Sequence, residues 1–243
     1  MIPRFYCPLP LVVGTAVDLP EGAAHHALRV LRLKAGDQVT LFNGEGGEFA
    51  ATLERADARA AVARVAAWRD VERESPLAVT VVQGLASGER MDFALQKAVE
   101  LGVAAVQPVM TTRSVTRLDA ARADKRLAHW RQVAIAACEQ CGRNRVPEVL
   151  PLQDLDDWLR APTQAVMRLL FAADAAQAIG ALARPAGAIE LLVGAEGGLT
   201  DDETTAATRA QFVAVRIGPR VLRTETAALA ALSALNALWG DWR

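Results

Sequence analysis

From Leu77 onward, short apolar runs rich in β-branched residues alternate with stretches of helical period, and few architectures accommodate that pattern. Leu77–Leu85 reads as the first buried strand, and Val103–Met110, Val166–Phe171, Ala188–Val193 and Phe212–Ile217 follow it. Ser87 is placed to cap a helix through Leu101 whose buried face carries Met91, Leu95, Ala98 and Val99. A long helix covers Ala120–Cys141, the capping box Thr200-Asp201-Asp202-Glu203 opens another, and an Ala/Leu helix follows the last strand. A strand reached only through a helix pairs in parallel with its neighbour, and a parallel sheet is covered on both faces. The expectation is an α/β domain.

Residues 1–70 have a different texture. Gln38–Asn43, Glu48–Leu53 and Ala60–Trp68 read as strands, with a hairpin-type turn at Asn43-Gly44-Glu45-Gly46-Gly47. Glu21–Leu33 reads as a helix carrying His25, His26, Arg29 and Arg32, ended near Lys34-Ala35-Gly36 by a left-handed glycine. Arg29 and Arg32 share a cationic face, which suits either an RNA-reading module or a plain solvated helix on a small barrel. Val71-Glu72-Arg73-Glu74-Ser75-Pro76 has no apolar period and reads as a linker, which divides the chain into 1–72 and 73–243.

Composition removes several classes of function. Hydrophobic residues make up 52% and charged residues 23%, as in a globular protein. The most apolar helix, Ala227–Trp239, contains Ser233 and Asn236 and is short for a bilayer; the N-terminus has no long apolar core. A cytoplasmic protein with no membrane contact is expected. Cys138 and Cys141 form a CxxC, but they share a helical stripe with Leu127, Trp130, Ala134 and Ala137 and read as small core residues; no metal is expected. The net charge is −1, yet Thr111–Arg145 holds eight Lys/Arg against three Asp/Glu, while Val146–Val215 holds four against ten. A basic surface of that kind can steer a polyanion.

The common nucleotide and hydrolase signatures are missing: GxxxxGK[ST], GxGxxG after a strand, HExxH and GxSxG. Two strand-to-loop-to-helix junctions remain. Val193-Gly194-Ala195-Glu196-Gly197-Gly198-Leu199-Thr200 offers glycines that let backbone approach a flat ligand, beside the carboxylate of Glu196. Ile217-Gly218-Pro219-Arg220-Val221-Leu222-Arg223-Thr224-Glu225-Thr226-Ala227 places two arginines and a glutamate within six residues. A third polar group, Arg143-Asn144-Arg145, follows the glycine that ends the long helix, and arginine forks suit phosphates and base edges.

These stretches, together with Pro3-Arg4-Phe5-Tyr6, His26 with Arg29-Val30-Leu31-Arg32, Gln96 to Val103 and Glu139 to Asn144, resemble the RsmE family of 16S ribosomal RNA uracil-N3 methyltransferases, in the SPOUT superfamily. The match runs nearly the length of the chain; one departure is Ala195, where the family's glycine loop usually has proline. The resemblance implies an N-terminal PUA-like RNA-binding β-barrel and a C-terminal SPOUT-type domain whose last segment threads a trefoil knot. S-adenosylmethionine would lie there, held by the loop after Phe171, by Val193, Gly194, Gly197 and Gly198, and by Ile217, Gly218, Val221, Leu222 and Thr226. Arg4, Arg29, Arg32, Arg143, Asn144, Arg145 and Arg220 would meet RNA. The family works as a homodimer on one uridine of the assembled 30S subunit.

On this reading Glu225 is the first choice for base or orienter and Glu196 the second, with Arg223 or Arg220 stabilising the uracil anion. No metal is needed, because the leaving sulfonium becomes a neutral thioether. Open beside it are a related methyltransferase acting on another nucleotide, an RNA-binding module without activity and, more remotely, a Rossmann oxidoreductase.

Overall fold

The computed structural model describes residues 2–57 and 60–242, and the chain forms two units, Met1–Glu74 with Cys138–Val146 and Ser75–Ala137 with Pro147–Arg243. The compact units divide at 74/75, two residues from the division expected at 72/73, and a nine-residue segment from mid-chain belongs to the first unit.

The first unit contains β1 (Arg4–Tyr6), β2 (Ala16–Asp18), α1 (Glu21–His25), β3 (Gln38–Phe42), β4 (Glu48–Ala56) and β5 (Ala61–Arg69). They form one sheet in the order β1-β3-β4-β5-β2, antiparallel except for the β1–β3 pair. Asn43 Oδ1 accepts from the Glu45 amide and closes the turn between β3 and β4. Alternate residues of β4 and β5 turn inward, so Ala51, Leu53, Ala63 and Val65 pack with Phe5, Leu41 and Ala27. The expected helix over 21–33 is shorter. After α1 the backbone widens into a π-turn over His26–Val30, Arg32 takes a left-handed conformation (φ 55°), and the Leu33 amide closes back on Ala27 O. Arg32, and not Gly36, supplies the left-handed stop.

The second unit contains β6 (Val79–Gly84), α2 (Gly88–Glu100), β7 (Ala105–Met110) and the first five turns of α3 (Ala120–Cys141), whose end lies in the first unit. Then come β8 (Glu148–Val149), β9 (Gln153–Asp154), α4 (Leu155–Arg160), β10 (Met167–Phe171), β11 (Gln177–Ala178), β12 (Ile189–Val193), α5 (Asp201–Arg209), β13 (Val213–Arg216) and α6 (Thr224–Trp239). All described pairings are parallel, in the order β11-β13-β10-β12-β6-β7-β8 with β9 also on β7. Val82, Val109, Leu170 and Leu192 pack with Leu155 and Leu159 of α4, Ala207 of α5 and Phe212 just before β13. Helices α2 and α6 pack on each other, and α6 also meets β6 and β12. The polar Asn236 that interrupts α6 is buried and bonded through both ends of its amide: the nitrogen donates to Leu101 O and the oxygen accepts from Ser75 Oγ. Arg168 and Glu190, opposite one another on β10 and β12, form an ion pair at 2.6 Å and hold that register.

Candidate active site

In a parallel sheet every strand ends on the same side, so β10, β12 and β13, neighbours in the sheet, deliver their following loops to one place. There a cleft of about 570 Å³ opens, within the range of small-molecule sites. Its walls are Phe171, Ala172 and Ala173; Val193, Gly194, Ala195, Glu196, Gly197 and Gly198; Ile217, Gly218, Arg220, Val221, Leu222, Arg223, Thr224, Glu225 and Ala227; and Arg90 from α2. The two junctions singled out in the sequence are thus brought together.

The glycine loop is fixed from several sides. Gly84, ending β6, passes so close that a Cβ there would meet Ala195 N at 2.3 Å and Gly194 C at 2.6 Å; alanine has no room. The loop turns at Gly198 (φ 70°), whose amide donates to Ala195 O. Glu196 Oε1 accepts from both the amide and the hydroxyl of Ser87 at 2.8 Å, with Arg90 at 3.4 Å. Ser87 does precede α2, but its hydroxyl serves Glu196 and makes no cap bond. Arg113 donates to Gly197 O and Leu199 O, and Glu203 accepts from the amides of Thr112 and Thr200, the second as part of the expected capping box.

Burial opposes ionisation of Glu196 and Glu203, but the hydrogen bonds aimed at them outweigh it and hold both carboxyls below their ordinary 4.5. A depressed folded-state value stabilises the protein above the ordinary one, and that stability is lost as pH falls through the folded value. The thermal midpoint of the unaltered chain should therefore drop more steeply than those of E196Q and E203Q between about pH 5 and pH 3 in differential scanning calorimetry.

The second junction carries the polar chemistry. Glu225 lies in the first turn of α6, which begins at Thr224 and so takes in residues the sequence left to the loop. Its Oε2 is occluded and has no hydrogen-bond partner among the described residues. Arg220 and Arg223 stand exposed on the cleft wall with Val221, which is 86% exposed. Thr226, expected at the ligand, is exposed and does not line the cleft, because α6 turns it outward; Thr224, two residues earlier, takes the place. Arg90, Gln83 and Thr224 escaped the sequence reading. Gln83 had a signal, as an amide within the apolar run of the first α/β strand.

The RNA expectations separate. Arg29 and Arg32 are exposed. Asn144 is not: it is 0% exposed, accepting from Arg4 Nη2 at 2.6 Å and donating to Val71 O. Arg4 also pairs with Glu48 and lies over the Phe42 ring, Arg143 is buried against Glu74, and Arg145 is exposed but paired with Glu72. The expectation that Arg4, Arg143 and Asn144 meet RNA is corrected: Glu48 of β4 binds Arg4, Glu74 of the stretch read as a linker binds Arg143, and a buried amide faces no ligand.

No disulfide joins the described cysteines; burial pushes Cys138 up to about 12 and Cys7 to about 11, so neither Cys138 nor Cys7 supplies a thiolate near neutral pH. No group of three or more candidate metal ligands occurs among the described residues, and no described helix is long and apolar enough to cross a membrane. The cleft does fit a nucleoside-bearing cofactor. Glycine backbone makes one wall, and Phe171, Val193, Ile217 and Leu222 give apolar contact.

A family described as an RNA methyltransferase domain matches residues 73–236, and one described as an RNA methyltransferase PUA domain matches residues 19–66. The ribosomal RNA small subunit methyltransferase E of Mycobacterium bovis is 38% identical over 231 residues, 93% of this chain and 87% of its own. The solved enzyme of the same name from Neisseria gonorrhoeae, bound to S-adenosyl methionine, is 44% identical over 100% of both chains, with a TM-score of 0.93. A methyltransferase of Legionella pneumophila, solved with the cofactor, is 37% identical over 99% of each chain, with a TM-score of 0.95.

Proposed function

This chain belongs to the RsmE family of S-adenosylmethionine-dependent methyltransferases of small-subunit ribosomal RNA, and from that premise we propose that it methylates N3 of one uridine of 16S RNA in the assembled 30S subunit. It has the family's two parts, a PUA-like β domain and a parallel-sheet methyltransferase domain of the SPOUT type. The trefoil threading fits the path of the chain, which leaves β12, crosses to β13 beyond β10, and returns as α6 against β6 and β12.

The observation that carries the reading is a cleft lined by Glu225, Arg220 and Arg223 in which Glu225, like Glu196, has an occluded carboxylate oxygen with no partner among the described residues. Bound there, S-adenosylmethionine supplies an electrophilic sulfonium methyl and departs as a neutral thioether. The uracil imide proton must leave before or as N3 attacks, and the Glu225 carboxylate on the cleft wall is the candidate to take it. The guanidinium of Arg223 or Arg220 donates to a uracil carbonyl oxygen as negative charge develops there. Val221 and Leu222 keep water from the ring and hold it in line. Glu196, engaged by Ser87, shapes the glycine loop in preference to moving a proton. Arg29 and Arg32 are the candidates for RNA contact in the first unit. The reading also places the enzyme in the cytoplasm as a homodimer, with the exposed Val221 loop as one candidate for the subunit contact.

The test uses purified protein, labelled S-adenosylmethionine and 30S subunits from a strain lacking the modification, read by nucleoside mass spectrometry. One 3-methyluridine per subunit and none on naked 16S RNA is the expected result. Cofactor binding without methylated subunits would retain the family and move the substrate elsewhere, with tRNA next.

A further inference from the structure

Beneath the cleft, two side chains tie together the loops that form it. Gln83, the penultimate residue of β6, is in register with Val193 of β12 and Pro108 of β7 and is 1% exposed. Its Nε2 donates to Gly84 O at 3.0 Å and to Thr224 Oγ1 at 2.8 Å. The Thr224 hydroxyl, also buried, donates in turn to Gly194 O at 2.5 Å. Both ends of this chain are backbone carbonyls, which only accept, so its direction is fixed: the amide nitrogen faces Thr224 and the hydroxyl faces Gly194. The chain joins the end of β6, the start of the glycine loop and the first turn of α6 at one point, one residue from Glu225. Gln83 Oε1 has no partner among the described residues, so it is the donors of this side chain that the fold uses.

We infer that Gln83 and Thr224 are positioning residues, a latch that preforms the cofactor cleft by locking the glycine loop against the first turn of α6. The inference rests on the reading that this cleft holds S-adenosylmethionine. A loop with glycines at 194, 197 and 198 has many conformations open to it, and binding weakens by the fraction of molecules already in the competent one. Thr224→Val removes the donor to Gly194 and the acceptor for Gln83 while keeping the shape. If the latch then holds in about a tenth of the molecules, the dissociation constant rises about ten-fold.

The test uses the full chain and two readouts: calorimetric binding of S-adenosylhomocysteine, and amide exchange of the ligand-free protein. T224V should bind about ten-fold or more weakly and exchange faster at 194–199 and 224–228, with β7 unchanged; T224S, which retains the hydroxyl, should stay within about two-fold. Q83E keeps the size, leaves at most one donor, and should behave as T224V does; it decides the matter if T224V does not fold. Wild-type affinity or unchanged exchange in T224V, or in Q83E where T224V is unfolded, overturns the latch. A wild-type chain that binds no S-adenosylhomocysteine would instead overturn the reading of the cleft, with exchange still deciding the latch.

Discussion

Replacing Glu225 by glutamine should lower single-turnover methylation of saturated subunits by roughly 10²–10⁴-fold and leave the dissociation constant for S-adenosylmethionine within about two-fold. The amide has the size of the carboxylate but cannot take a proton from uracil N3. Cofactor affinity should survive because the groups that face the ligand across the cleft are mainly loop backbone and apolar side chains from the three strand ends, and the substitution moves none of them. E196Q should behave oppositely. Glu196 anchors the loop through Ser87, so its loss should weaken binding more than it slows the bound complex. A fully active E225Q would remove Glu225 from the chemistry and leave the arginines and orientation to account for the rate.

What the sequence revealed and what it hid follow the range of the interactions involved. The strand-loop-helix junctions are local: apolar strands, glycines and a capping box within a dozen residues, and they met in the cleft. The long helix appeared with its expected bounds, Ala120–Cys141, because 22 residues carry enough period to mark both ends. Strands β1, β2, β8, β9 and β11 hold two or three residues each and have no period to read. Arg143-Asn144-Arg145 was visible as a polar cluster, but its direction was not. Its partners Glu72, Glu74, Val71 and Arg4 lie about 70 to 140 positions away in sequence, and periodicity carries no information at that separation. Gln83 sat in plain view within an apolar run; only the structure supplied Thr224 to explain it. The contrast between Asn144 and Glu225 is instructive, since both are polar residues beside a helix end. One is bonded from within the fold, and the other lines a cleft and keeps an oxygen with no partner among the described residues.

Cutting the chain after Glu74 should yield a segment that does not fold, although it contains all five strands of the first unit. The missing partners sit on the returning segment Cys138–Val146. Without it, Arg4, whose side chain is 11% exposed against Glu48 at 8%, loses Asn144 and the carbonyls of Gly142 and Arg143. The Tyr6 amide loses Glu139, and Glu74 loses Arg143. Removing one member of a buried ion pair costs about 3–5 kcal/mol, and an orphaned buried polar group about 1–3 kcal/mol. A domain of this size has little reserve, since even larger ones are stable by only about 5–15 kcal/mol. Residues 1–74 alone should therefore give collapsed amide dispersion in NMR and no cooperative melt. The same segment joined by a flexible linker to 138–146 should recover both. A cooperative melt from 1–74 alone would mean that the hydrophobic core of Phe5, Leu41, Leu53 and Val65 suffices, and that the mid-chain segment only decorates it. The expected outcome instead makes the first unit dependent on a segment synthesised after Ser75–Ala137, so that the PUA-like domain completes its fold only after the first part of the methyltransferase domain has been made.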